Sequence, residues 1–220
     1  MRRELARLES EVALCERCYG SEPRLPARFC RPRQPGRVLL LAERPPRETL
    51  ASGARLGPDN EDRATVFLRA LLAEAGIPLE AVVVGAASLC RPVSREVEAA
   101  VPPSVCVREC APWVRDLVAA IEPRLIVTLG GRALGGLRWA FRDRPEIRAL
   151  RFPEDVGAIV RAGGTWVHPL YHTTVRARVR RPEREQRLDW RAVGRLWQWI
   201  EGGERGTRPR GRLARGRPRT

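Results

Sequence analysis

The side chains able to do chemistry are few, and their spacing is uneven. Two histidines, His168 and His172, stand four residues apart in "TWVHPLYH", just ahead of a run of arginines. Six cysteines occupy positions 15, 18, 30, 90, 106 and 110. Cys15 and Cys18 form a Cys-x-x-Cys pair, which in a cytosolic chain reads as a metal or redox motif rather than a disulfide. Such a pair plus two distant cysteines can close a four-thiolate site, and zinc and an iron–sulfur cluster both accept that set. Zinc ribbons usually present two Cys-x-x-Cys pairs. Here the second half is a cysteine at a strand end, Cys90, and cysteines at a helix start, Cys106 and Cys110. That layout favours iron–sulfur, with zinc as the alternative and buried, unmetallated thiols as the plain structural reading. Cys30 is spare in each case. The chain contains no lysine, so all 41 basic residues are arginine. Schiff-base chemistry on a lysine is therefore excluded, leaving only the N-terminal amine for it.

Composition narrows the partner. The formal net charge is +15 and the sequence pI about 11.2. A GC-rich coding sequence explains arginine over lysine, but not such an excess of base over acid. The excess points to a polyanion, nucleic acid first. Apolar residues make up 43% of 220, enough for one compact domain with arms. No stretch reaches the roughly 20 apolar residues that span a bilayer, and "MRRELARLESEVAL" is a charged amphipathic pattern without an apolar signal region. The expectation is a soluble, cytoplasmic monomer with no membrane partner.

The elements that must position these residues alternate between strand and helix. A helix is expected over about residues 2–18, ending in "CERC". Residues 20–37 are rich in Pro and Arg and read as irregular. "VLLLA" (38–42) reads as a buried parallel strand and residues 44–60 as a long loop. A helix follows over 61–76, with Val66, Leu68, Leu71 and Leu72 as its apolar face. Further strands are expected at 81–89, 124–130 and 165–172. Helices are expected at 106–121, 131–141 and 182–200, the last with Trp190, Val193, Trp197 and Ile200 on one face. This order argues for an α/β protein: a three-layer α/β/α sandwich with a mainly parallel central sheet. The domains divide as an arm (1–36), the α/β domain (37–201) and a basic tail (202–220). The tail's seven arginines and lack of periodicity predict disorder and sequence-independent phosphate contacts. Sites in such sheets lie at the carboxyl ends of strands, which selects Glu43 with its loop, the segment after Leu89, and His172.

Several motifs together resemble the family 4 (iron–sulfur) uracil-DNA glycosylases. These are the Cys-x-x-Cys arm, a first strand ending in "AERPP" (42–46), "GARL" (53–56), "LCRPV" (89–93), "CAPWVRDLVAAIEPRLIVTLG" (110–130) and "YHTT" (171–174). The resemblance covers about residues 10–200, and its strongest parts are the cysteine layout and the 110–130 register. It implies a 4Fe-4S cluster on Cys15, Cys18, Cys90 and Cys110. The register through Pro123 selects Cys110, whereas spacing from Cys90 would select Cys106. Departures are equally definite. Pro46 stands where the family's first motif ends in Gly, Leu56 where it has a base-stacking Phe, Ala86 where it has a base-reading Asn, and Thr173 where a Pro follows the histidine.

The resemblance implies a monofunctional DNA glycosylase acting in base-excision repair. A base inside a duplex cannot be attacked, so such enzymes flip it into a pocket, at a cost of about a few kcal/mol. Arg176, Arg178, Arg180 and Arg181 would clamp the flanking phosphates of double- or single-stranded DNA. Loss of the base passes through an oxocarbenium-like sugar. His172 would donate to the carbonyl oxygen of the departing uracil or other deaminated base. Glu43 would orient water or stabilise the cationic sugar. Asp59 is a second candidate carboxylate, with a helix N-cap as its plainer reading. Ala42, Arg44, Leu56 and Ala86 would line the base pocket. A non-catalytic nucleic-acid-binding protein on the same scaffold is the alternative, and a redox or metal sensor a more distant one.

Overall fold

In a computed structural model of the chain, the structure describes residues 2–27, 29, 37–45, 56 and 62–211. The chain runs α1 (Arg2–Ala13), β1 (Arg24–Pro26), β2 (Val38–Ala42), α2 (Arg63–Glu74), β3 (Val82–Ala86), β4 (Cys90–Pro92), α3 (Arg95–Ala100), α4 (Pro103–Glu109), α5 (Ala111–Ile121), β5 (Leu125–Leu129), α6 (Gly131–Ala140), α7 (Pro145–Ala149), β6 (Val160–Ala162), β7 (Thr165–Leu170), α8 (Val175–Arg180) and α9 (Glu183–Glu201). Five strands form the main sheet in the order β3-β2-β5-β7-β6. All neighbours pair in parallel except β6, which runs antiparallel to β7. β1 and β4 form a separate antiparallel pair.

Alternation within the strands builds two cores, one on each sheet face. Leu39, Leu41, Val83, Ile126 and Val167 pack with α1, α5 and α6 residues such as Leu8, Leu117 and Leu134. Val38, Leu40, Val82, Val127 and Leu170 pack with Leu68, Leu71, Trp190 and Leu196 of α2 and α9. Burial on both faces explains why these strands read as unbroken apolar runs. The result is the expected three-layer α/β/α sandwich. Gly194 lets α9 lie against α2, because a Cβ there would sit 2.5 Å from the Ala75 carbonyl oxygen.

Several sequence expectations are corrected. Val66 is 45% exposed; the apolar stripe of α2 runs instead through Ala64, Phe67, Leu68, Leu71 and Leu72. Asp62 caps that helix, its carboxylate accepting from the Ala64 and Thr65 amides at 3.3 and 2.9 Å. α1 ends at Ala13, so "CERC" lies in the turn beyond it rather than in the helix. The helix expected over 106–121 is two helices meeting at Cys110, since Pro112 has no N–H to continue the bonding across the junction. The stretch read as irregular contains β1. Against the disorder expected from Gly202, the Glu204 carboxylate accepts from Trp166 Nε1 at 3.2 Å and is paired with Arg124 and Arg161, both at 3.3 Å. Residues 212–220 lie outside the described residues.

Candidate active site and thiol cluster

Because β2, β3, β5 and β7 are parallel, their carboxyl ends share one edge of the sheet. Glu43 follows β2, Gly130 follows β5, and Tyr171 and His172 follow β7. β5 lies between β2 and β7, so the backbones bearing Glu43 and His172 stand two interstrand steps apart, about 10 Å. Gly130 turns the chain there with φ +95°, a conformation that L side chains rarely adopt. A Cβ on Gly130 would stand 3.9 Å from that of His172. Phe152 packs against Gly131 and stacks, tilted, on Tyr171 with ring centroids 4.9 Å apart.

His172 has a defined tautomer. The Thr174 amide donates to its Nδ1 at 3.2 Å, so the neutral ring carries its proton on Nε2 and presents a donor there. The Thr174 hydroxyl in turn caps α8, accepting from the Ala177 amide at 3.3 Å. One short turn thus fixes both the histidine and the helix that carries the arginine run. The Glu43 carboxylate pairs with Arg132, in the first turn of α6, and its Oε1 lies 3.8 Å from Arg44 Nε. Arg44 pairs with Glu98 on α3, which also takes Arg91 Nη2 at 2.8 Å. Glu98 thereby ties the end of β2 to β4.

The other predicted site residues are placed as follows. Ala42 and Ala86 are both buried and face each other in the β2–β3 register. Leu56 is buried and joins the core on the α2 and α9 side. Asp59 and Cys30 lie outside the described residues. Arg176 and Arg180 are exposed on α8. Arg178 lies 4.8 Å over the Phe67 ring and pairs with Glu183 at 3.5 Å. Arg181 departs from the expected phosphate clamp. It is buried, and its Nε and Nη2 bind the Asp189 carboxylate in a fork at 2.9 and 2.7 Å. Removing one partner from such a buried pair costs about 3–5 kcal/mol, so Arg181 fastens α8 to α9. Sequence reading missed Arg132, although the strand-end rule that selected Glu43 also covers the turn after β5. It missed Ser88 as well, which is 1% exposed and whose hydroxyl makes no hydrogen bond among the described residues.

His168 is fully enclosed within β7. Neither ring nitrogen meets hydrogen-bond geometry. Burial lowers its pKa to about 4, opposed in part by the facing Ala158 backbone. It is a neutral core group at pH 7, not a partner of His172.

Five thiols gather where the arm meets the sheet. Cys18 contacts Cys106 and Cys110 and feels the charge of Cys15, while Cys90 feels Cys18, Cys15 and Cys106. The Tyr19 hydroxyl lies 3.1 Å from the Cys106 sulfur. The contact with Cys106 lowers the Cys18 pKa, but Cys110, burial and Cys15 outweigh it and push the thiol up to about 12. Burial, then Cys18 and Cys15, push Cys90 up to about 12. Contact with Cys18, then burial, push Cys106 up as well. Thiols that resist ionisation because of burial and one another are what a bound cation relieves, since thiolate ligands must be deprotonated and the cation neutralises them. Among the described residues no three His, Cys, Asp or Glu side chains are placed to hold a single metal ion. The five thiols come from four segments: the turn after α1, β4, the middle of α4 and the junction between α4 and α5.

No helix among the described residues is long and apolar enough to cross a membrane. No curated protein shows a significant match to the chain. The model of the uracil DNA glycosylase superfamily, whose members are typically DNA glycosylases, matches residues 32–194. That span covers more than half of the chain and contains β2 through most of α9, with both Glu43 and His172 on its shared strand edge; the chain belongs to the uracil DNA glycosylase superfamily.

Proposed function

We propose that the protein is a monofunctional DNA glycosylase that hydrolyses the N-glycosidic bond of a flipped uracil or other deaminated base, as a step of base-excision repair. The observation that carries this reading is the joint placement of Glu43 and His172 on one edge of a superfamily sheet, at carboxyl ends that flank β5. As the bond breaks, negative charge gathers on a carbonyl oxygen of the base and positive charge on the sugar. His172 donates through Nε2–H while Thr174 holds its Nδ1, so the donor is preorganised where charge develops. Glu43, steadied by Arg132, accepts a proton from the attacking water or stabilises the sugar cation. Arg176 and Arg180, exposed on α8, bind the flanking phosphates. The absence of lysine removes a lysine lyase step, so the product is an abasic site with the strand intact.

The thiols fit a resident 4Fe-4S cluster on Cys15, Cys18, Cys90 and Cys110, with Cys106 held by Tyr19 instead. Its role is structural, tying the arm to the sheet edge, and zinc is the alternative. The same reading takes the protein as a monomer acting in the cytoplasm.

A second reading has its own observation. Leu56 and Ala86, both buried and apolar, occupy the positions expected to grip uracil, which favours a DNA-binding protein without excision activity. Incubation with oligonucleotides carrying uracil, hypoxanthine or xanthine separates the two. Release of one base, leaving an abasic, unbroken strand, supports the enzyme. Tight binding with no base released supports the second reading.

A further inference from the structure

The outer side of α6 carries a second basic surface that the candidate site does not use. Gly135, Arg138, Trp139 and Arg142 meet Arg148 of α7 around a cavity of about 380 Å³. Trp139 is 40% exposed, a large ring left in water, and the Arg142 guanidinium lies 3.9 Å over it. The Arg138 Nε is buried without a hydrogen-bond partner. Asp143, beside Arg142, is taken by Arg115 and Arg144; Glu146 of α7 is exposed, and among the described residues no carboxylate, Glu146 included, pairs with Arg138, Arg142 or Arg148. Burial and the charge of Arg151 lower the Arg138 pKa, a sign that its charge lacks compensation.

Three guanidinium groups without counter-charges around an exposed indole call for an anion and a flat ring together. A nucleic-acid strand with unpaired bases supplies both; a duplex supplies phosphates but hides its base faces. We propose that this groove binds a single-stranded nucleic-acid segment, with phosphates on Arg138, Arg142 and Arg148 and a base stacked on Trp139. Arg142 already covers the ring as a base would, and moves to the phosphate when a base takes its place. α6 starts at Gly131 on the wall of the candidate site, and Trp139 lies about 12 Å further along the helix axis. The groove therefore lies on the same helix as that wall, toward its far end. Its place beside an excision site rests on the glycosylase reading, but binding is measured without excision.

The test is fluorescence anisotropy with an undamaged, labelled oligothymidylate and with an undamaged duplex of the same length. Two positions serve. Trp139→Ala removes the platform. Gly135→Glu adds a carboxylate where a Cβ would meet nothing within 4 Å, and replacing glycine inside a helix favours folding. Trp139→Ala should weaken single-strand binding about ten-fold and leave duplex binding unchanged. Gly135→Glu should weaken single-strand binding too and reduce its salt dependence, while both variants melt as the parent does. Single-strand affinity equal to the parent's in both variants, or an equal loss for single strand and duplex, overturns the proposal. A failure to excise any base leaves this outcome fully readable.

Discussion

At the scale of single residues, two histidines four positions apart are put to opposite uses. His172 ends β7 at the strand edge, with its tautomer set by Thr174. His168 points into the interior and stays neutral. Burial makes His168 a pH-dependent liability. Its folded pKa of about 4 lies below the unfolded value near 6.5. Between these the unfolded chain binds the extra proton, so the ring adds no pH-dependent cost above pH 6.5, and stability falls as pH drops from 6.5 to 4, by roughly 3 kcal/mol in full. Denaturant midpoints at pH 7 and pH 5 should differ more for the parent than for His168→Leu. Equal differences would mean that the ring is not the group responsible. Sequence reading placed His172 and Glu43 at strand ends, where the structure also has them, because strand ends are visible as breaks in apolar runs. It did not find Arg132 as the partner of Glu43, since that pair joins residues 89 apart in the chain, nor the withdrawal of Arg181 to Asp189, since an arginine run does not reveal which member turns inward.

At the scale of elements, strands were more legible than the helices near the cysteines. "VLLLA" coincides with β2 because burial on both faces leaves no polar position to blur it. The cysteine-bearing helices broke where local chemistry prevailed: α1 stops before Cys15, and Pro112 divides α4 from α5 at Cys110. Those breaks free the thiols from helical geometry and let distant segments converge. The proposed cluster takes Cys110 as its fourth ligand, with Cys106 in contact with the Tyr19 hydroxyl. Cys110→Ser should therefore lose iron and the visible absorbance of anaerobically purified protein, and Cys106→Ser should keep both. The reverse pattern would make Cys106 the ligand, and stoichiometric zinc in a colourless parent would replace the cluster itself.

At the scale of the whole molecule, the fold divides labour between its sheet edge and its charge. The strand edge gathers a donor, a carboxylate and its arginine from three strand ends, while a net charge of +15 supplies sequence-independent attraction to DNA. The two contributions are separable, because a hydrogen bond to a departing base exists only during bond cleavage whereas phosphate contacts exist throughout binding. Single-turnover base release from damaged oligonucleotides, measured beside DNA affinity for the parent and His172→Ala, tests the proposed glycosylase function most directly. The rate should fall about 100- to 1000-fold with affinity nearly unchanged; equal losses of rate and affinity, or an unchanged rate, would contradict the assignment of His172 as the donor.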